Sequence, residues 1–168
     1  MATIRIPILG AHTVPDTTGN AFMEPYPIKA TNDNFDHLVA VFNDSGTRVG
    51  FFGIFDVPQN YVGSANIIVH WTSTATTGDV EWDFDYRAIG GDDTESLDQT
   101  TNQQSVNLND TAPSAVNERM TVTLALTSTN LAAGDTVEFG IFRDGTDVGD
   151  TMAAAATVHS VLFQYNDV

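Results

Sequence analysis

Glu81, Asp83 and Asp85 occupy alternate positions of one run and are the residues of this chain best spaced to do chemistry. Alternate side chains of an extended strand share a face, so the three carboxylates would stand in a row. Two carboxylates flanking one bond are what glycoside hydrolysis requires, one as nucleophile or base and one as acid. Arg87 lies on the same face two residues beyond Asp85 and would pair with it across one pleat repeat. A solvated strand face is therefore the preferred reading, with no catalytic residue assigned.

The wider pattern supports that preference. Jelly-roll glycosidases carry Glu-x-Asp-x-x-Glu, whereas this run reads Glu-x-Asp-x-Asp. A second acidic group, Asp144, Asp147 and Asp150, falls in one stretch with Gly145 and Gly149. Hard oxygen ligands on a flexible loop suit Ca²⁺, but the spacing is not that of an EF-hand. Turn chemistry explains the same residues equally well, because Asp tolerates turn geometry and Gly supplies positive φ. These three are the candidate metal ligands, and no metal or cofactor is assigned on them. His12, His37, His70 and His159 are dispersed, with no zinc-type pairing. The chain has no Gly-x-Ser-x-Gly elbow, no phosphate-binding glycine loop and no cysteine.

The elements that would position these residues are strands. Val80, Trp82, Phe84, Tyr86 and Ala88 alternate with the charged residues from Glu81 to Arg87, the signature of a strand with one buried and one wet face. Residues 65–73 are almost continuously apolar, as in a central strand, and the turn Thr76-Thr77-Gly78 would join the two as a hairpin. Strands are also expected at 3–9, with Pro7 confining it to an edge, and at 38–43, 48–55, 105–109, 119–127, 137–143 and 157–166. In the last of these, His159, Val161, Phe163 and Tyr165 fall on one face, and Trp71 and Trp82 are placed for the core. Residues 152–156 could form a helical turn. Residues 10–36 lack periodicity, hold Pro15, Pro25 and Pro27, and read as a functional connection or as an arm that orders against something else. The division is then 1–36, an N-terminal edge strand with an extended arm, and 37–168, the sandwich. About eight or nine strands spaced by turn signals predict an all-β, two-sheet antiparallel β-sandwich of jelly-roll type.

Composition narrows the functional classes. The 168 residues carry 22 acids against 6 bases, a formal net charge of −16, and Lys29 is the only lysine. Such a surface repels phosphate backbones and argues against nucleic acid as a partner. It also fits a saline setting, where salt screens the self-repulsion of an Asp-rich surface. No apolar run reaches the length of a membrane span, so no membrane partner is expected. The stretch from Met1 to Pro7 lacks the apolar core of a signal peptide, so export by the usual route is not expected.

Two blocks of residues carry a family resemblance. The first runs Asp56-Val57-Pro58-Gln59-Asn60-Tyr61, through a hydrophobic strand to Trp71, then Thr76-Thr77-Gly78-Asp79-Val80-Glu81-Trp82. The second runs from Ala132-Ala133-Gly134-Asp135 through Phe142-Arg143-Asp144-Gly145 to Asp150-Thr151 and a final strand. Their order resembles small β-sandwich proteins among the structural components of tailed bacteriophages. The resemblance implies a non-enzymatic virion protein on the capsid surface: a decoration, or cement, protein stabilising the head. Its partners would be the major capsid protein and further copies of itself, with a homotrimer favoured by the local three-fold points of a shell. Residues 10–36 lie outside the resemblance; on the decoration reading they would cross onto a neighbouring protein. The alternative is a receptor- or carbohydrate-binding module of a phage tail or fibre.

Overall fold

The computed structural model describes residues 2–9, 14–16, 21–27, 36–90, 95–98 and 103–167. Among the described residues eleven strands follow in chain order: β1 (Thr3–Pro7), β2 (Val14–Pro15), β3 (Phe22–Pro27), β4 (Asp36–Phe42), β5 (Arg48–Asp56), β6 (Tyr61–Thr72), β7 (Asp79–Ile89), β8 (Gln104–Thr111), β9 (Met120–Ala125), β10 (Thr136–Asp144) and β11 (Ala156–Asp167). They form two antiparallel sheets. The first has the order β3-β4-β11-β6-β9, with β1 also paired to β11, and the second has the order β2-β5-β10-β7-β8. The all-β, two-sheet sandwich expected from the alternation is the observed architecture. Among the described residues no helix is long and apolar enough to cross a membrane.

Aromatic rings fill the space between the sheets. Trp82 of β7 and Trp71 of β6 are both fully buried and meet edge to face with ring centres 5.7 Å apart. Phe42 closes on Trp82 at 5.4 Å, Phe84 stacks on Phe139 at 5.4 Å, and Phe55 meets Phe163 at 4.9 Å. Edge-to-face and offset contacts of this kind add to what burial alone supplies. The Trp71 indole donates to Asp110 Oδ2 at 2.7 Å, which satisfies its polar edge inside the core.

Four local expectations give way to the structure. β6 and β7 are not a hairpin: β6 pairs with β9 and β11, β7 with β8 and β10, and the link between them crosses from one sheet to the other. Two bulky indoles on consecutive strands are better buried facing each other across the core than side by side. The described parts of 10–36 belong to the sheets: β2 pairs with β5, and β3 lies along β4 with Phe22 opposite Val41 and Pro25 opposite Leu38. β3 is an edge strand, where prolines cost no ladder bond on the open side. The remaining residues of that segment lie outside the described set. Residues 152–155 form no helical turn; the chain bends at Ala154 and enters β11 at Ala156. The register of β11 on β6 shifts between Val158 and Ser160, so His159 leaves the inward row of Val161, Phe163 and Tyr165. One extra residue at a bulge turns a side chain to the other face.

The outer strands leave the two ends of the described chain side by side. β1 and β4 share one flank of β11, and Asp167 N–H donates to the Ala2 carbonyl at 3.0 Å.

Candidate functional site

The outer face of the second sheet collects the chemistry-bearing residues. Register places Phe52, Gly140, Asp85 and Ser105 in one row across β5, β10, β7 and β8. The next row towards one end runs Ile54, Glu138 and Arg87. Towards the other end it runs Gly50, Phe142, Asp83 and Asn107. Glu81, Asp83 and Asp85 of β7 therefore share one face, as their spacing requires.

Two glycines shape this face. The Phe142 ring points outward yet is almost fully buried, because it lies flat over Gly50 and Gly140. A Cβ built on Gly140 would come 2.3 Å from the Phe142 ring and 3.2 Å from that of Phe52. A Cβ on Gly50 would come 2.4 Å from Phe142. Glycine is required there for close approach. Arg48 lies on top of the Phe142 ring, its guanidinium carbon 3.8 Å from the ring centre. From there it donates to Asp83 Oδ2 at 2.9 Å and Asp85 Oδ2 at 2.7 Å. Burial opposes the Arg48 charge, but Asp85 and Asp83 outweigh it and hold its pKa above the ordinary value. Burial also pushes the Asp83 carboxyl up, against the pull of Arg48.

Beside this stack lies a groove of about 440 Å³. Phe52 and Ile54 form one wall, Gly140 lines the floor where the Phe142 ring covers it, and Asp85, Arg87, Glu138 and Gln103 supply polar groups. Phe52 is 46% exposed and Ile54 43%, so the apolar wall is open to a ligand. Val14 of β2 is opposite Phe52 and extends that wall. Arg87 pairs with Glu138 rather than with Asp85 and also donates to the Leu97 carbonyl at 2.9 Å. The expected Arg87–Asp85 pair is replaced because Glu138 sits directly opposite Arg87 on β10, while Asp85 is taken by Arg48.

Glu81 departs from the expected solvated face. It is 4% exposed, and its Oε2 has no hydrogen-bond partner among the described residues. The segment after β10 folds over it: Thr151 N–H donates to the Asp79 carbonyl at 2.8 Å, and Glu81 N–H donates to Asp150 Oδ2 at 3.2 Å. Burial first, then the charges of Asp147, Asp83, Asp144 and Asp150, push the Glu81 carboxyl up to about 6.

Asp144, Asp147 and Asp150 do separate jobs. Asp144 Oδ1 accepts from the Thr146 N–H at 2.9 Å, and Asp147 Oδ1 from the Gly149 N–H at 2.7 Å, both local turn bonds. Asp150 is turned inward onto fully buried Arg143, which reaches its two oxygens at 2.8 and 2.7 Å. Among the described residues no three His, Asp or Glu side chains converge as metal ligands.

The histidines form a group that sequence reasoning missed. On the outer face of the first sheet, His37 Nε2 and His159 Nδ1 lie 2.7 Å apart, and His70 Nδ1 is 3.0 Å from Thr121 Oγ1 and 3.5 Å from Arg119. Burial, then His37, Arg119 and His70, lower the His159 pKa. Positions 37, 70 and 159 meet only through the pairing of β4, β6 and β11, which no local spacing reports. His12 lies outside the described residues.

No protein-family model matches the chain, and no curated protein does. Solved structures do match in fold. An arabinose-bound GH51 α-L-arabinofuranosidase superposes with a TM-score of 0.53 at 12% identity over 95% of this chain. This chain spans only 24% of that enzyme's length. The CBM22-1 xylan-binding domain of Paenibacillus barcinonensis Xyn10C superposes with a TM-score of 0.50 at 12% identity, covering 94% of this chain and 87% of that one. The chain is thus a jelly-roll-like β-sandwich of the architecture found in carbohydrate-binding modules.

Proposed function

We propose that this protein is a non-catalytic glycan-binding β-sandwich whose site is the groove on the outer face of the second sheet. The observation that carries the reading is the groove's composition. An exposed apolar wall, Phe52 with Ile54, faces Asp85, Arg87 and Gln103 across Gly140. A sugar ring has an apolar C–H face and a rim of hydroxyls. Such a ring is held by an aromatic platform on one side and planar donors and acceptors on the other. The carboxylates beside the groove are poorly placed for hydrolysis, since Arg48 holds both Asp83 and Asp85 and Glu81 is covered. Binding without turnover is what this arrangement supports. The xylan-binding domain and the arabinofuranosidase, similar in fold, point to the same ligand class.

The test is a glycan screen with purified protein, by affinity electrophoresis and calorimetry, run beside a Phe52→Ala variant. Binding to at least one glycan, weakened at least tenfold or so in Phe52→Ala, is expected. Absence of binding across neutral, basic and acidic glycans overturns the reading.

A second reading, capsid decoration, has one supporting observation. Phe22 and Leu38 are exposed at the open β3–β4 edge, where another protein could pack. A gel census of purified virions, with the chain present in hundreds of copies or absent, decides it.

A further inference from the structure

We infer that the groove, on the glycan-binding reading above, takes sugars carrying free amino groups and turns away uronates and sulfated chains. The outward positions of β7 carry Asp79, Glu81, Asp83 and Asp85, and those of β5 and β10 add Asp56, Glu138 and Asp144. The cations on the same strands' outer face are Arg48 and Arg87. Both are engaged. Arg87 holds Glu138 and the Leu97 carbonyl. Arg48 is shared between Asp83 and Asp85. Two carboxylates around one guanidinium leave a unit of negative charge at the groove's polar wall.

That imbalance selects by charge. A carboxylate or sulfate entering the groove would meet Asp85 and Glu138, with no uncommitted cation among the described lining residues to receive it, inside the field of a chain with net charge −16. A ring ammonium would instead donate to Asp85 while its C–H face rests on Phe52, and its hydroxyls would reach Gln103. Its three N–H donors suit a carboxylate already fixed in orientation by Arg48. A neutral sugar keeps the stacking and the hydroxyl contacts but gains nothing from the charge.

The experiment compares, by calorimetry at about pH 6 where sugar amines are protonated, a glucosamine hexamer, its fully N-acetylated counterpart, a neutral xylo-oligosaccharide, an oligogalacturonate and an oligolysine of equal charge. The glucosamine oligomer is expected to bind at least roughly tenfold tighter than the neutral chains near 0.01 M salt, with the advantage shrinking towards 1 M. The oligogalacturonate is expected not to bind. Asp85→Asn should remove the preference for the amine, and Phe52→Ala should weaken glucosamine binding without affecting oligolysine. Equal, salt-independent binding of neutral and amine-bearing chains overturns the inference and leaves the glycan-binding reading standing. Oligolysine binding as tight as glucosamine, or unaffected glucosamine binding in Phe52→Ala, also overturns it, because the attraction would then be that of a polyanion for any polycation. No binding of any sugar defeats both.

Discussion

Arg48 lies over the ring of Phe142, 3.8 Å from its centre, and from that position ties Asp83 and Asp85 together. The stack rests on Gly50 and Gly140, so a packing device and the charge pattern of the groove share the same residues. Altering the floor should therefore be felt both in stability and in ligand binding.

Gly140→Ala tests that coupling. The new methyl would sit 2.3 Å from the Phe142 ring and must displace it, and Arg48 with it. Overpacking of this kind costs about 1–3 kcal/mol. Urea melts should show the loss, and glycan affinity should fall in the same variant.

Trp82→Ala should destabilise the fold by about 3–5 kcal/mol, since the indole is fully buried against Trp71 and Phe42. A change at an exposed position such as Val148→Ala, 95% exposed, should move the midpoint by less than about 0.5 kcal/mol. Equal effects at the two positions would contradict the assigned facing.

Glu81 makes stability depend on pH with a defined sign. Its carboxyl is raised from 4.5 to about 6 in the folded state, so the fold favours the protonated form. The stability tied to that proton is fully present below pH 4.5 and is lost as pH rises through 6. Allowing for solvent screening, Glu81→Gln should stabilise by about 1 kcal/mol at pH 8 and by almost nothing at pH 4. Denaturant midpoints at the two pH values check this, and a gain confined to pH 4 would reverse the sign.

Arg143 is buried with Asp150 and also donates to the carbonyls of Met152 and Ala154. Arg143→Lys keeps the charge but not the fork that spans two carboxylate oxygens and two carbonyls. It should cost about 3 kcal/mol or more, close to Arg143→Ala, because Asp150 is left poorly paired in either case. Thermal melts of the two variants should nearly coincide.

The sandwich was legible because Trp82, Phe84 and Tyr86 alternate with charges, a period that survives any tertiary context. The shared face of Glu81, Asp83 and Asp85 was legible for the same reason. The burial of Glu81 was not, since its cover comes from residues 147–151, far along the chain. Nor was the purpose of Gly50 and Gly140, which read as strand-weakening residues until the Phe142 ring is placed over both. The misassigned hairpin has a simple origin. Residues 73–78 serve equally well as a turn within one sheet or as a link across the roughly 10 Å between two sheets, and only the partners of β6 and β7 distinguish them. β3 was hidden by Pro25 and Pro27, which signal a break everywhere except at a sheet edge.

The bond between Asp167 and the Ala2 carbonyl makes the sandwich a nearly closed ring of chain. A short linker could join these two residues, and the backbone could be reopened at an exposed turn such as that around Val148 without disturbing a strand. Placed inside a surface loop of another protein, the module would ask its host to hold two attachment points only a peptide unit or two apart, leaving the host fold undistorted.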